Sequence, residues 1–213
     1  MTSAVLMSAT LAALLAPLGL RVLGDCPDDG RTITLIGPDE PHFWSIFTSS
    51  PEYLDGAPDP MDRWSLRVIG EVAKALDAEA PFPFGGPPYA PFYSWAVASG
   101  RFWPSPIGFL VHEDAGLFAS FRGAIRWDKP AEAGLAPQPC TTCSAPCKTA
   151  CPVDAFANGY DVTACKAHVS SPAGADCRKN GCLARRACPV GAERRLHPHR
   201  GFRIQEHLRP VHR

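Results

Sequence analysis

Residues Cys140 to Pro152 read CTTCSAPCKTACP, four cysteines and a proline in the spacing C-x2-C-x3-C-x3-C-P. Thiolates at such intervals bind soft metals and iron–sulfur clusters. The run differs from the bacterial ferredoxin pattern, C-x2-C-x2-C-x3-C-P, by one extra residue between the second and third cysteines. The C-x2-C step makes a tight turn that aims Cys140 and Cys143 at one centre. Cys147 and Cys151 are four apart, so on a helix they share a face. Four further cysteines follow at 165, 177, 182 and 188, the last again preceding a proline.

In two-cluster ferredoxins the cysteine before the proline ligates the other cluster. That crossing assigns Cys140, Cys143, Cys147 and Cys188 to one site, and Cys151, Cys165, Cys177 and Cys182 to a second. All eight are used, four and four, which points to two [4Fe–4S] clusters. Two four-cysteine zinc sites need the same count. A single cluster is a third reading, because CRKNGCLARRACP contains no C-x2-C. Disulfides belong to secreted chains and are not expected. His168, three residues after Cys165, is a reserve ligand should Cys177 lie too far away. His112, closing an apolar run, reads as structural. His197, His199, His207 and His212 read as solvated tail residues, and Cys26 as a buried or loop thiol.

The rest of the chain must position these groups. Its 213 residues are 46% hydrophobic, with 23 prolines and 18 glycines, enough for a core and many turns. The formal net charge is zero, but eleven of the 21 lysines and arginines lie between Cys165 and Arg213, opposed by only Asp176, Glu193 and Glu206. This basic tail offsets anionic thiolate clusters or meets an acidic partner. Nucleic acid is the less favoured partner. The apolar N-terminus has no basic leader region and is broken by Pro17, so it reads as a first helix leading to a strand near Arg21–Gly24. No membrane partner and a cytoplasmic location are expected.

TITLIGP (32–38) reads as a strand, PHFWSIF (41–47) as a short helix. A longer helix follows Asp59 as N-cap and Pro60 as first residue, with Trp64, Val68, Val72, Ala75 and Leu76 on one face. PFPFGGPPYAPF (81–92) is an irregular loop, either packed on the surface or lining a pocket. Phe84, Gly85, Gly86, Tyr89 and Trp103 are the candidate cofactor-binding residues there. SWAVAS is helical. Residues 106–127 read as two strands around a turn at Glu113–Gly116, and DKPAEAGLAPQP as a linker. The division expected is an α/β domain at 1–135 and a cysteine-rich domain at 136–213. No phosphate loop, dinucleotide fingerprint or nucleophile elbow is present, so no catalytic residue is assigned.

Three stretches together resemble the superfamily of epoxyqueuosine reductase and the reductive dehalogenases, in particular its small ferredoxin-like members. They are MDRWSLRVIGEVAKALDAE, ASGRFWPSPIGFLVHEDAGLFASFRGAI and CPVDAF. The second is similar to a family stretch written roughly A-G-L-G-W-x-G-K-x-T-L-L-I, with Ser99–Gly100, Trp103 and the strand to His112 in register. The resemblance implies an α+β chain: a nitroreductase-like α/β domain, then a bacterial-ferredoxin-like two-cluster module with the crossed ligand scheme. In the larger relatives a corrinoid sits on the α/β domain and receives electrons from the clusters. Here PYAP (88–91) lacks the family's acid and Pro106 stands at its lysine, so the catalytic residues do not carry over. The expected function is ferredoxin-type electron transfer to a redox partner protein. The alternative is a reductase using cobalamin or another cofactor in the aromatic loop.

Overall fold

Asp29 and Gly30 adopt left-handed backbone conformations, φ 49° and 77°, between two strands whose ends pair as Asp28 with Arg31. That is the two-residue turn that matches strand twist in a hairpin. It joins the first two strands of the protein, for which a computed structural model describes residues 3–128 and 136–195. Along the chain run α1 (Ser3–Leu15), β1 (Leu20–Asp28), β2 (Arg31–Pro38), α2 (Glu40–Thr48), α3 (Pro51–Leu54), α4 (Pro60–Ala75) and α5 (Phe92–Ala98). They are followed by β3 (Phe102–Pro104), β4 (Leu110–His112), β5 (Gly123–Trp127), α6 (Val162–Ser170), α7 (Ala175–Asn180) and α8 (Leu183–Arg186). The class is α+β, with small antiparallel sheets.

The described residues form two compact units. One comprises those up to Phe102 and those between Ala119 and Ala136; the other comprises Trp103–Phe118 and the residues from Pro137 onward. The contiguous division at 135/136 therefore misses one feature. The segment Trp103–Phe118 belongs with the cysteines, because Ile107, Val111 and Leu117 pack in one apolar cluster with Cys147 and Cys188. The linker residues 129–135 and the tail from 196 on, with His197, His199, His207 and His212, lie outside the described residues.

In the first unit β2 is the central strand of an antiparallel sheet ordered β1-β2-β5. Its residues from Thr32 to Pro38 are all buried, as befits a strand covered on both faces. The polar ones find partners: Trp127 Nε1 donates to Thr34 Oγ1 at 2.8 Å, and Thr34 Oγ1 donates to Asp25. Helix α4 buries Trp64, Val68 and Val72, with Ile69 and Ala73 beside them, while Ala75 is exposed and Leu76 half-buried. Trp64 meets the rings of Phe43 and Phe47 edge-on, centroids 5.4 and 5.8 Å away. Asp59 precedes α4 as expected but is left-handed (φ 51°), and its side chain accepts no capping hydrogen bond.

The two strands expected around Glu113–Gly116 do not pair with each other. The turn closes on itself through mutual backbone hydrogen bonds of His112 and Gly116, both 3.0 Å. β4 then pairs with β3, whereas β5 joins β2 in the first unit's sheet. No helix among the described residues is long and apolar enough to cross a membrane.

Cys26 sits in β1 with no solvent exposure. Burial, then the carboxylates of Asp28 and Asp25, push its thiol pKa up to about 12. Because the thiolate is the nucleophile, alkylation of Cys26 at about pH 8 should be negligible in the folded chain and prompt in denaturant. Peptide mass spectrometry after iodoacetamide treatment reads this out. Prompt modification of the folded chain would contradict the burial.

Candidate metal centre

The second unit is built around its cysteines. Cys143 N donates to Cys140 O at 3.3 Å, closing the C-x2-C turn. The extra residue is absorbed next. Ala145 adopts a left-handed conformation (φ 54°, ψ 51°), and a single 3-10 turn, Pro146–Lys148, then carries Cys147. A non-glycine residue there costs about 1–2 kcal/mol, so the surroundings must enforce it. The same bend brings the Ala145 amide within 3.4 Å of Cys143 Sγ.

Cys188 reaches this loop from the far end of the unit. Short helix α8 precedes it, Cys188 N bonds Arg185 O at 3.3 Å, and Pro189 prevents further helix. Two left-handed glycines fix the approach. A Cβ on Gly116 (φ 58°) would overlap the carbonyl of Val190 and lie 3.2 Å from Cys188 Sγ. A Cβ on Gly191 (φ 66°) would overlap the carbonyl of Asp114. The turn at Glu113–Gly116 and the segment Val190–Gly191 thus interlock at backbone distance. His112 braces this turn from inside: 1% exposed, with Nδ1 3.3 and 3.2 Å from the amides of Asp114 and Ala115 and 2.7 Å from Asp114 Oδ1. Arg185 adds a second tie, donating from Nε to Leu117 O at 2.6 Å.

Together these contacts place Cys140, Cys143, Cys147 and Cys188 around one recess of about 270 Å³, walled by Val111, Leu117 and Pro146. A second recess of about 340 Å³ is lined by Cys151, Cys165, Cys177 and Cys182. Asp161 caps α6 through Ala164 N at 2.9 Å and so sets Cys165. Arg178 Nη1 ties α7, which bears Cys177, to the end of α6 through the carbonyls of Ser171 (2.6 Å) and Val169. Cys182 is the residue from which α8 starts. The grouping of side chains coincides with the crossed grouping given by the two cysteine–proline pairs.

The two recesses border one apolar cluster. Ala184, fully buried, lines the second and packs in the cluster that contains Cys147 and Cys188. Phe109, Phe156 and Tyr160 form a ring trio beside it, with centroid separations of 5.1 to 5.2 Å. Phe156 also borders the second recess.

Electrostatics agree with this proximity. Burial first, then the nearness of Cys188, pushes the Cys140 and Cys147 thiols up. Cys177 is raised chiefly by burial, with Asp176 and Cys151 adding to it, and Cys182 by burial and then Cys177. Against this, the Leu183 amide bonds the Cys177 sulfur, and the Ala184 and Arg185 amides bond that of Cys182. Ala155 N lies 3.4 Å from Cys151 Sγ. Tyr160 is raised by burial and by a hydrogen bond to Cys165.

This donor set fits an iron–sulfur cluster in each recess. Four thiols face each one, backbone amides point at sulfur, and neither lining contains a carboxylate. A single zinc ion needs four sulfurs about 2.3 Å from one point. Among the described residues no group of three or more His, Cys, Asp or Glu is set to hold such an ion.

No protein-family model, curated protein or solved structure matches this chain significantly.

The candidate organic-cofactor residues are scattered. Phe84, Gly85, Gly86 and Tyr89 lie in the first unit, where Tyr89 is 66% exposed and Phe84 packs on Phe82 with the Arg122 guanidinium above its ring. Trp103 belongs to the second unit and packs against the cysteine cluster. Sequence reasoning missed Ser105, Tyr160 and the two interlocking glycines. The only signal for the glycines was their position, in DAG and CPVG, beside a turn and a cysteine–proline pair.

The interlock generates a test. Gly108 also has positive φ (80°) but nothing within 4 Å of an added Cβ. Gly116→Ala should therefore destabilise the protein by about 1–3 kcal/mol more than Gly108→Ala, the cost of forcing atoms into a packed site. Urea denaturation of both variants measures the difference. Equal losses would show that the Val190 carbonyl does not press on this turn.

Proposed function

We propose that this chain is a ferredoxin-type electron-transfer protein holding two [4Fe–4S] clusters. One observation carries the reading: eight cysteines divide four and four around two recesses that border one apolar cluster. Cys140, Cys143, Cys147 and Cys188 would hold one cluster. Cys151, Cys165, Cys177 and Cys182 would hold the other. Such clusters supply one-electron couples whose potential follows hydrogen bonding to sulfur and exclusion of solvent.

The chain's own residues provide both controls. The amides of Ala145 and Ala155 lie within reach of cysteine sulfur. Val111 and Leu117, 0% and 2% exposed, keep water from the first recess. Ala184, which lines the second recess and packs with Cys147 and Cys188, keeps the two sites adjacent, a condition for passing electrons between them. The finer fold reading is a bacterial-ferredoxin-like module in the second unit and a nitroreductase-like platform in the first. It rests on the resemblance to small ferredoxin-like members of the epoxyqueuosine reductase and reductive dehalogenase superfamily. Thiolate clusters of this kind belong in a reducing compartment, and the cytoplasm with a redox partner protein is our reading of its setting.

Anaerobic reconstitution tests this. We expect about eight iron and about eight acid-labile sulfide per chain, with broad visible absorption that a one-electron reductant bleaches. Stoichiometric zinc without sulfide would replace the reading with two zinc sites.

A further inference from the structure

Each cysteine-lined recess has at its edge one buried polar side-chain atom with nothing to bond. In the first it is Ser105 Oγ, on a residue only 8% exposed. In the second it is His168 Nε2. Apart from arginine Nε atoms, these are the only side-chain atoms among the described residues in that condition. Their backbones are engaged: Ser105 N donates to Phe109 O and Ser105 O accepts from Gly108 N, both 2.9 Å, while His168 O accepts from Ser171 N at 3.0 Å. Only the hydroxyl of Ser105 and Nε2 of His168 lack a partner. Neither completes a ligand set, since four thiols already face each recess.

Buried polar groups without partners are rare, and two of them, one per recess, call for a common cause. We propose that Ser105 and His168 are hydrogen-bond donors to cluster sulfur, one for each site. The inference rests on the reading that the recesses hold iron–sulfur clusters. Sulfide and thiolate sulfurs are acceptors, and both side chains can donate. A donor aimed at sulfur stabilises the more negative, reduced form and raises the potential.

The test uses the full chain, loaded anaerobically, with iron counted before potentials are measured. Failure of the wild type to bind iron overturns the reading of the site and this inference with it. Given about eight iron per chain, redox titration followed by electron paramagnetic resonance compares Ser105→Ala, Ser105→Thr, His168→Leu and His168→Gln. Ser105→Ala should shift only one of the two midpoint potentials, downward. His168→Leu should shift only the other, downward. Ser105→Thr and His168→Gln keep a donor and should stay near wild type. A donor-lacking variant that loads less iron counts for the proposal only if its donor-retaining counterpart loads fully, and against it otherwise. Fully loaded Ser105→Ala and His168→Leu with both potentials unshifted overturn it, as does an equal shift in the donor-retaining variants.

Discussion

The arrangement of the second unit depends on one backbone contact. Cys188 is separated from Cys147 by forty residues of loops and short helices, and no long element holds it there. It is set by the meeting of Gly116 with Val190 and of Gly191 with Asp114, at distances that admit no side chain. Remove that closeness and the first recess has three cysteines and an open side. Around the contact, His112 inside the turn and Arg185 across it act as props. The apolar cluster of Ile107, Val111, Leu117 and Ala184 then buries Cys147 and Cys188 together. A chain with so few long elements in this region gains its order from such local locks. Metal binding adds to it, since ligation free energy in small metallo-domains is also folding free energy.

Burial around the thiols has two consequences that oppose one another. It raises the thiol pKa values, so an unligated recess favours protonated sulfur. It also excludes water, so any donor left inside acts strongly on whatever negative charge enters. Backbone amides are present at both recesses, and each has one buried side-chain polar atom without a partner, Ser105 Oγ in the first and His168 Nε2 in the second. The cysteine spacing differs, C-x2-C-x3-C in the first set and no C-x2-C in the second.

The cysteine grouping was legible because it depends on spacing and on two cysteine–proline pairs, features that survive without any knowledge of packing. Helix α4 was legible for the same reason, as an apolar period. Its face was read correctly at Trp64, Val68 and Val72; the buried stripe also takes in Ile69 and Ala73, while Ala75 and Leu76 fall at the helix end, where Ala75 is exposed and Leu76 half-buried. The pairing of β4 was not legible. Apolar residues on both sides of an Asp-Ala-Gly turn suggest a hairpin, yet β5 is drawn to β2, whose free edge offers five residue pairs. The hairpin that does form was signalled by Asp29-Gly30 ahead of the β-branched run from Thr32 to Ile36. Ala145 in a left-handed conformation could not be foreseen, because alanine gives no sign of it. Ser105 was invisible for a different reason: a serine in a Pro-Ser-Pro loop is ordinarily a surface turn residue, and only its buried, unpartnered hydroxyl marks it out.

The account stands or falls on the crossing of the two cysteine sets, and paired variants read it most directly. If Cys140 and Cys188 serve one cluster, losing both costs no more than losing one, whereas losing members of different sets costs both. Iron should therefore stay at about half the wild-type content, about four per chain, in Cys140→Ala/Cys188→Ala and fall to near zero in Cys151→Ala/Cys188→Ala. Near-zero iron in the first pair with half retained in the second would place Cys188 in the other set and contradict the account.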